Sequence, residues 1–140
     1  MRCDEIMHSP VSVLREGDTA VVAARRLRDD NIGFLAVCDR YGRVVGAITD
    51  RDLTTRVLAE GASPETLLSA IMTREIVSCA PGDDVVDAER LMAAKRKSRI
   101  LCVNEAGEPV GIISVTDLLV HEDGWRVART MKKIARRMTP

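Results

Sequence analysis

The sequence lacks the features that mark several large classes of protein. Its 21 lysines and arginines balance 21 aspartates and glutamates, so no net charge on the whole chain would attract nucleic acid or a membrane. No apolar run approaches the ~20 residues of a membrane span, and charges interrupt the first ten residues, where a signal peptide would be apolar. We therefore expect a cytoplasmic protein in which any contact with nucleic acid or membrane is local.

Motifs of catalysis and metal binding are also missing. The four cysteines form no CxxC pair, and only two histidines, His8 and His121, are available to help them bind a metal. We interpret the group formed by Cys3, Asp4, Glu5 and His8 as a polar turn, because it has no second ligand pair at a known spacing. There is no P-loop, no G-x-G-x-x-G and no recognisable nucleophile-base spacing. We expect no enzyme, no catalytic cofactor and no metal site.

The sequence does contain an internal repeat with an offset of 65 residues. Of the 48 positions from 6 to 53, 13 are identical to the residue 65 places later, where about 3 would be expected by chance. Neither copy is long enough to bury a good core alone, so we expect the copies to pack on each other with pseudo-twofold symmetry.

Each copy predicts the order β-α-β-β-α. A short strand leads through a Gly-Asp turn into an amphipathic helix, and two Val- and Ile-rich runs then form a hairpin before a second helix. Gly61 and Gly124 are placed to end the second helices. The first strands and helices are predicted at residues 11–14 and 19–31, and at 76–79 and 84–97. The fold class is α/β (α+β), with motifs at 1–61 and 62–124 and a helix at 125–140.

Both hairpins end in the pattern G-h-h-[ST]-x-x-D, at residues 46–52 and 111–117. The hydroxyl residues, Thr49 and Ser114, lie where a strand passes into a helix, and the acids Asp52 and Asp117 follow three residues later. This is the spacing of a capping box, so helix capping by itself would account for the pattern. A role in ligand binding is the alternative.

The 65-residue tandem, the element order and the repeated motif together resemble the cystathionine-β-synthase (CBS) domain family, arranged as a CBS pair or Bateman module over residues ~4–121. The resemblance implies clefts between the copies that bind AMP, ADP, ATP, S-adenosylmethionine or NAD. It also implies that Asp52 with Thr49, and Asp117 with Ser114, hold the ribose at two sites, as a carboxylate does in dinucleotide-binding proteins.

The adenine needs an apolar surface that aliphatic residues must largely provide, because Phe34, Tyr41 and Trp125 are the three aromatic residues of the chain. The candidates are Ile48, Ile113 and the entry strands of the two copies. The resemblance adds the residues that open the second strand of the opposite copy, for which edge packing is the alternative role: Ile32, Gly33 and Phe34, or Lys97, Ser98 and Arg99.

Cations suited to phosphate are distributed unequally between the copies. Arg99 stands where the family often has a phosphate-binding arginine, whereas the matching residue of the first copy is Phe34. The cleft of Ser114, Asp117 and Arg99 is therefore predicted to suit a phosphorylated ligand better, with help from Arg51 and Lys97. For each cation the alternative is a solvated surface position.

The C-terminal segment is basic, with six cations and no acid from Trp125 onward, so residues 1–124 have a net charge of −6 (15 basic, 21 acidic). An apolar seam on one helical face is predicted from Val127, Met131, Ile134 and Met138. We expect this helix to dock on an acidic surface of its own or a second subunit. Contact with a membrane, nucleic acid or a partner protein is the alternative.

Two functions remain open. The first is a stand-alone regulatory module that senses an adenosyl ligand as a homodimer. The second is a structural or interaction protein whose clefts are empty and whose basic helix, with Arg126, Arg129, Lys132, Lys133, Arg136 and Arg137, binds a partner protein, a membrane surface or nucleic acid.

Overall fold

Each copy of the repeat contains a three-stranded sheet flanked by helices in the computed structural model, which describes residues 1–136. The predicted β-α-β-β-α order is confirmed in both copies. The chain forms two compact units, the first being Val11–Ile76 and the second Met1–Pro10 together with the residues from Val77 onward. No helix within the described residues is both long and apolar enough to cross a membrane.

The first unit has the sheet order β1-β2-β3, with β1 parallel and β3 antiparallel to β2. The second helix, α2, continues as a π-helical segment at Thr54–Leu58. The elements are β1 (Val13–Arg15), α1 (Ala20–Asp30), β2 (Phe34–Cys38), β3 (Val44–Thr49), α2 (Asp50–Leu53) and α3 (Leu68–Ile71).

The second unit repeats this plan with the sheet order β4-β5-β6. It begins with a 3-10 helix at Cys3–Glu5 and ends with a further helix, α6. Its elements are β4 (Ser78–Cys79), α4 (Val85–Lys95), β5 (Arg99–Val103), β6 (Pro109–Ser114), α5 (Val115–His121) and α6 (Gly124–Ala135).

Local chemistry sets the ends of these helices. Thr19 caps α1 by accepting from Val22 N–H at 3.4 Å, and Asp84 caps α4 by accepting from Val86 N–H at 2.8 Å. The prediction that Gly124 ends α5 is wrong. The chain is already extended at Glu122, and Asp123 accepts from Trp125 N–H, so that Gly124 becomes the first residue of α6.

Each unit is completed by a short segment that pairs with its last strand. In the first unit Thr73 exchanges two backbone hydrogen bonds with Ala47 on β3, each at 2.9 Å. In the second unit His8 exchanges two with Ile112 on β6, at 2.9 and 3.1 Å. Residues 62–76 lie in the first compact unit and residues 1–10 in the second, so the compact units have other bounds than the predicted motifs at 1–61 and 62–124.

Two separate hydrophobic cores fill the units. The first core includes Leu35 and Ile48, and the second includes Ile100 and Ile113; all four side chains are fully or almost fully buried. Leu35 pairs with Ile48, and Ile100 with Ile113, across the two hairpins. The repeat therefore reproduces the same buried pair in each core.

The basic helix α6 packs on α4 of its own unit, but its buried face differs from the predicted seam. Val127, Thr130 and Ile134 are buried, whereas Met131 is 39% exposed. Met138 and Arg137 lie outside the described residues. A polar residue replaces methionine in the contact because the facing side chain on α4 is the acid Glu89.

The Glu89 residue is only 2% exposed, and both of its carboxylate oxygens accept hydrogen bonds from α6. Thr130 Oγ1 donates to Glu89 Oε1 at 2.7 Å, and Arg126 Nε donates to Glu89 Oε2 at 2.8 Å. Arg126 also pairs with Glu122. The structure thus shows docking of α6 on its own chain, held by a charge pair whose acid is buried and accepts hydrogen bonds on both carboxylate oxygens.

Replacement of Arg126 by methionine is expected to destabilise the protein by about 3 kcal/mol, because Glu89 would be left buried without its cation. Urea denaturation measures the loss. Lys132→Met, on the exposed side of α6, is the control and should change stability by less than about 0.5 kcal/mol. Adding Glu89→Gln to Arg126→Met should recover part of the loss, and additive losses would contradict the pairing.

Gly111 is expected to be required where the N-terminal segment crosses β6. A Cβ at this position would lie 2.6 Å from Met7 Cγ and 2.9 Å from Met7 Cβ, so Gly111→Ala should cost about 1–3 kcal/mol. Gly17→Ala is the matched control, since nothing lies within 4 Å of a Cβ built there. Equal denaturation midpoints for the two variants would show that the close packing of Met7 is unimportant.

Candidate functional site

The two G-h-h-[ST]-x-x-D motifs form capping boxes where β3 passes into α2 and β6 into α5. In the first unit Thr49 N–H donates to Asp52 Oδ2 at 3.0 Å, and Asp52 N–H donates to Thr49 Oγ1 at 3.2 Å. In the second unit Ser114 N–H donates to Asp117 Oδ2 at 2.7 Å, and Asp117 N–H donates to Ser114 Oγ at 3.3 Å. The helix-capping role is therefore present in both copies.

The second carboxylate oxygen has a different partner in each unit. Asp52 Oδ1 lies 3.5 Å from Arg56 Nη2, one helical turn along the chain. Asp117 Oδ1 lies 2.7 Å from Nε2 of His8, which comes from the N-terminal segment. Each acid thus has one oxygen fixed by its own backbone and the other beside a basic group.

The environment of Asp117 keeps it ionised. Burial would raise the pKa of this carboxyl, but the hydrogen bonds from Ser114 N–H, His8 and the Ser114 hydroxyl outweigh burial and hold the pKa below its ordinary value. The side chains of Asp52 and Asp117 are 13% and 16% exposed, so each is largely covered and keeps a small surface open to solvent. An ionised, partly exposed carboxylate is a strong acceptor for paired hydroxyl groups.

The hairpin register places a different residue beside each motif. Arg99 pairs with Ser114 across β5 and β6, and its side chain is exposed. The equivalent partner of Thr49 is Phe34. Within the second unit, Ser98 O accepts from Val115 N–H at 2.9 Å, which brings the segment before β5 to the first turn of α5.

The other predicted site residues occupy different environments. Lys97 and Arg51 are exposed, and Ile32 and Gly33 are half-buried immediately before β2. Ile48 and Ile113 are completely buried and belong to the two cores. Their contact with an adenine base stays a prediction.

Two residues of the site were not anticipated from the sequence. Arg56 could have been found, since it stands four residues after Asp52 in a helix and such residues are neighbours. His8 has no local signal, because 109 positions separate it from Asp117. The repeat offset does align His8 with Thr73, and both make the same backbone pairing with the last strand of their unit.

Three cysteines cluster in the second unit. Cys79 Sγ lies 3.7 Å from Sγ of both Cys3 and Cys102. Burial, with a smaller effect of Cys79, raises the pKa of the Cys3 thiol to about 12. Among residues 1–136, no three His, Cys, Asp or Glu side chains have an arrangement suited to a metal ion.

The model of the CBS domain family matches the chain twice, at residues 3–59 and 68–124. The chain belongs to the CBS domain family. The two matches cover both repeats, and each contains one capping box. Each compact unit contains most of one match, and the Thr49–Asp52 and Ser114–Asp117 pairs occupy equivalent places in the two matches.

Curated relatives extend over most of the chain. The CBS domain-containing protein YhcV of Bacillus subtilis is 31% identical over 118 residues, which are 84% of this chain and 83% of that protein. The uncharacterized protein MK0525 of Methanopyrus kandleri is 30% identical over 122 residues, 86% of this chain. The matched region spans only 59% of the length of that second relative.

Three solved structures share the fold at 22–24% identity. The CBS domain protein TA0289 of Thermoplasma acidophilum has a TM-score of 0.82 and 22% identity, with coverage of 95% of this chain and 75% of that one. PAE2072 of Pyrobaculum aerophilum, solved with AMP, has a TM-score of 0.78 and 23% identity, with coverage of 94% of this chain and 98% of that one. The CBS pair of MJ0100, solved with 5-methylthioadenosine and S-adenosylmethionine, has a TM-score of 0.75 and 24% identity, with coverage of 84% of this chain and 92% of that one.

Proposed function

We propose that this protein is a regulatory module that binds an adenosine-containing compound and catalyses no reaction. The observation that carries the proposal is the repeated pair of Asp52 with Thr49 and Asp117 with Ser114, each holding an accessible carboxylate at a strand-to-helix junction. The AMP complex of PAE2072 and the 5-methylthioadenosine and S-adenosylmethionine complex of MJ0100 support adenosyl compounds as the ligand class.

In this proposal the two acids accept the ribose hydroxyls, and Thr49 and Ser114 add a polar contact beside them. Arg99 binds phosphate, because a guanidinium matches the geometry of phosphate oxygens. Further residues complete the two sites with apolar contacts to the base or with charge near the phosphate: Ile32, Gly33, Phe34, Ile48, Ile113, Arg51 and Lys97.

The regulatory output requires two states of the protein with different affinity for the ligand, since equal affinity would shift no equilibrium. We propose that the chain works in the cytoplasm as a homodimer, and that ligand binding alters the surface offered to a target. Light scattering with and without the ligand would establish the oligomeric state.

Calorimetric titration with AMP, ADP, ATP, S-adenosylmethionine and NAD tests the proposal. Saturable binding of at least one compound is expected, with affinity about 10- to 100-fold lower in Asp117→Asn, because a charged acceptor becomes neutral. Asp84→Asn is the matched control: it changes a helix-capping acid of the same unit that lies outside the site, and it should bind like the native protein.

Arg99→Phe tests the phosphate contact in the same experiment, because it replaces Arg99 with the residue type that the first motif has at Phe34. Affinity for AMP should fall while affinity for S-adenosylmethionine, which has no phosphate, stays within about twofold. Absence of binding by all five compounds would overturn the proposed function. Binding that is unchanged in both Asp117→Asn and Asp52→Asn would reject the assigned residues.

The exposed face of α6 favours a second function, contact with an anionic partner such as a protein, membrane surface or nucleic acid. Trp125 is 85% exposed, and Arg129, Lys132 and Lys133 are exposed on the same helix. Arg129 and Lys133 also line an open cleft of about 460 Å³ between α4 and α6, together with Arg90. Exposed cations around an aromatic side chain are typical of surfaces that bind anionic macromolecules.

Charge reversal at Arg129 and Lys132 tests this second function without removing the residues that anchor α6. Binding to a duplex oligonucleotide or to vesicles containing phosphatidylserine should fall steeply with added salt and disappear in Arg129→Glu/Lys132→Glu. Arg25→Glu/Arg28→Glu makes the same charge change on α1. Equal loss in both double variants would point to net charge alone and contradict a specific role of α6.

A further inference from the structure

The contact between His8 and Asp117 engages the acid that the proposed function assigns to ribose binding. We propose that His8 competes with the ribose for Asp117, so that the second CBS motif binds its ligand more tightly when the imidazole is neutral. This inference rests on the proposed function. It makes the N-terminal segment a regulator of one of the two sites.

The hydrogen bonds of Asp117 explain why the two partners compete. A carboxylate offers about four acceptor positions, two on each oxygen. Asp117 Oδ2 accepts from Ser114 N–H at 2.7 Å and from Ser114 Oγ at 2.9 Å, and Oδ1 contacts His8 Nε2 at 2.7 Å. One position remains, whereas the two hydroxyls of a ribose need two. Because its ring is exposed, His8 is the partner that we expect to leave Asp117 when both hydroxyls bind.

The backbone of the N-terminal segment holds His8 in place while leaving its ring free to move. His8 exchanges backbone hydrogen bonds with Ile112, and Ser9 Oγ donates to Val110 O at 2.7 Å. The imidazole itself is 72% exposed. Rotation of the ring into solvent would release Asp117 without breaking the pairing of the segment with β6.

The first motif has no histidine at the position equivalent to His8. The residue equivalent to His8 is Thr73, which makes the same backbone pairing with β3 and has no titratable side chain. Asp52 is approached instead by Arg56, whose guanidinium stays charged at every physiological pH. Ligand binding by the first motif is therefore expected to be insensitive to pH between 6 and 8.

Few other charged groups lie on the elements around His8. Strand β6 has no charged side chain, and α5 contributes Asp117 and His121. Arg99 stands opposite Ser114 at the start of β5. The N-terminal segment itself carries Arg2, Asp4 and Glu5, of which Arg2 pairs with Asp4 at 2.7 Å and its N–H donates to Glu5.

Protonation strengthens the contact because a charged donor and a charged acceptor make the strongest hydrogen bonds. An imidazole gains its proton within the physiological pH range, whereas Asp117 stays ionised there because its pKa is lowered. Acidification from pH 8 to 6 therefore strengthens the hydrogen bond between His8 and Asp117 and leaves the charge of the carboxylate unchanged.

The test uses adenosine as the probe, because it has no phosphate that titrates in this range. Calorimetric titration of the full chain at pH 6 and pH 8 should show affinity at the second motif roughly three- to tenfold lower at pH 6. His8→Thr, which installs the residue of the first motif, should bind equally at both pH values and at least as tightly as the native protein. Asp52→Asn is added to both the native protein and His8→Thr, because it weakens binding by the first motif and lets the titration report on the second motif.

A measurement without ligand checks the contact separately. The pKa of Asp117, followed by carboxyl carbon NMR, should rise in His8→Thr because one of the hydrogen bonds that lower it is lost. Arg56→Gln, which alters the partner of Asp52 in the other unit, is the matched control and should leave Asp117 unchanged.

The outcomes separate this inference from the proposed function. Adenosine binding with the same affinity at both pH values, or weaker binding by His8→Thr, overturns the competition and leaves the binding function standing. An unchanged pKa of Asp117 in His8→Thr overturns it as well. No binding of adenosine by the native protein or by His8→Thr overturns the competition, and the titration with the five compounds decides the proposed function separately.

Discussion

The structure depends on backbone pairing at the exposed edge of each small sheet. Strands β3 and β6 end their sheets, and a strand edge presents unpaired N–H and C=O groups that a partner segment can satisfy. Thr73 pairs with Ala47 on the first edge, and His8 pairs with Ile112 on the second. The close approach of these segments leaves room only for glycine at positions 46 and 111, where a Cβ would collide with Met72 or Met7.

The same constraint ties remote parts of the chain into the second unit. The N-terminal residues reach a strand more than a hundred positions later, and Cys3 enters the core beside Val85 and Met92. On another side of that unit, the buried Glu89 is matched by Arg126 and Thr130 of α6. Both ends of the described chain are thus held in the second unit, the first by backbone pairing and the second by a hydrogen-bonded charge pair.

The two motifs are alike in their cores and differ in the side chains that lie beside the capping boxes. The buried hairpin pairs and the capping boxes recur, because packing and helix initiation impose the same requirements twice. Positions outside the cores are free of those requirements, and there the copies diverge: half-buried Phe34 against exposed Arg99, and half-buried Thr73 against exposed His8. The proposed regulation uses that divergence, since it assigns phosphate preference and pH dependence to the second motif.

The sequence by itself determined the repeat, the β-α-β-β-α order and the capping boxes, because each follows from local periodicity or local spacing. It could not reveal that Met131 is exposed and Thr130 buried, since that choice depends on the acid facing α6 from α4. Only the tertiary structure decided that His8 contacts Asp117, because a pairing across 109 positions comes from the docking of the N-terminal segment on β6 and leaves no periodicity in the chain.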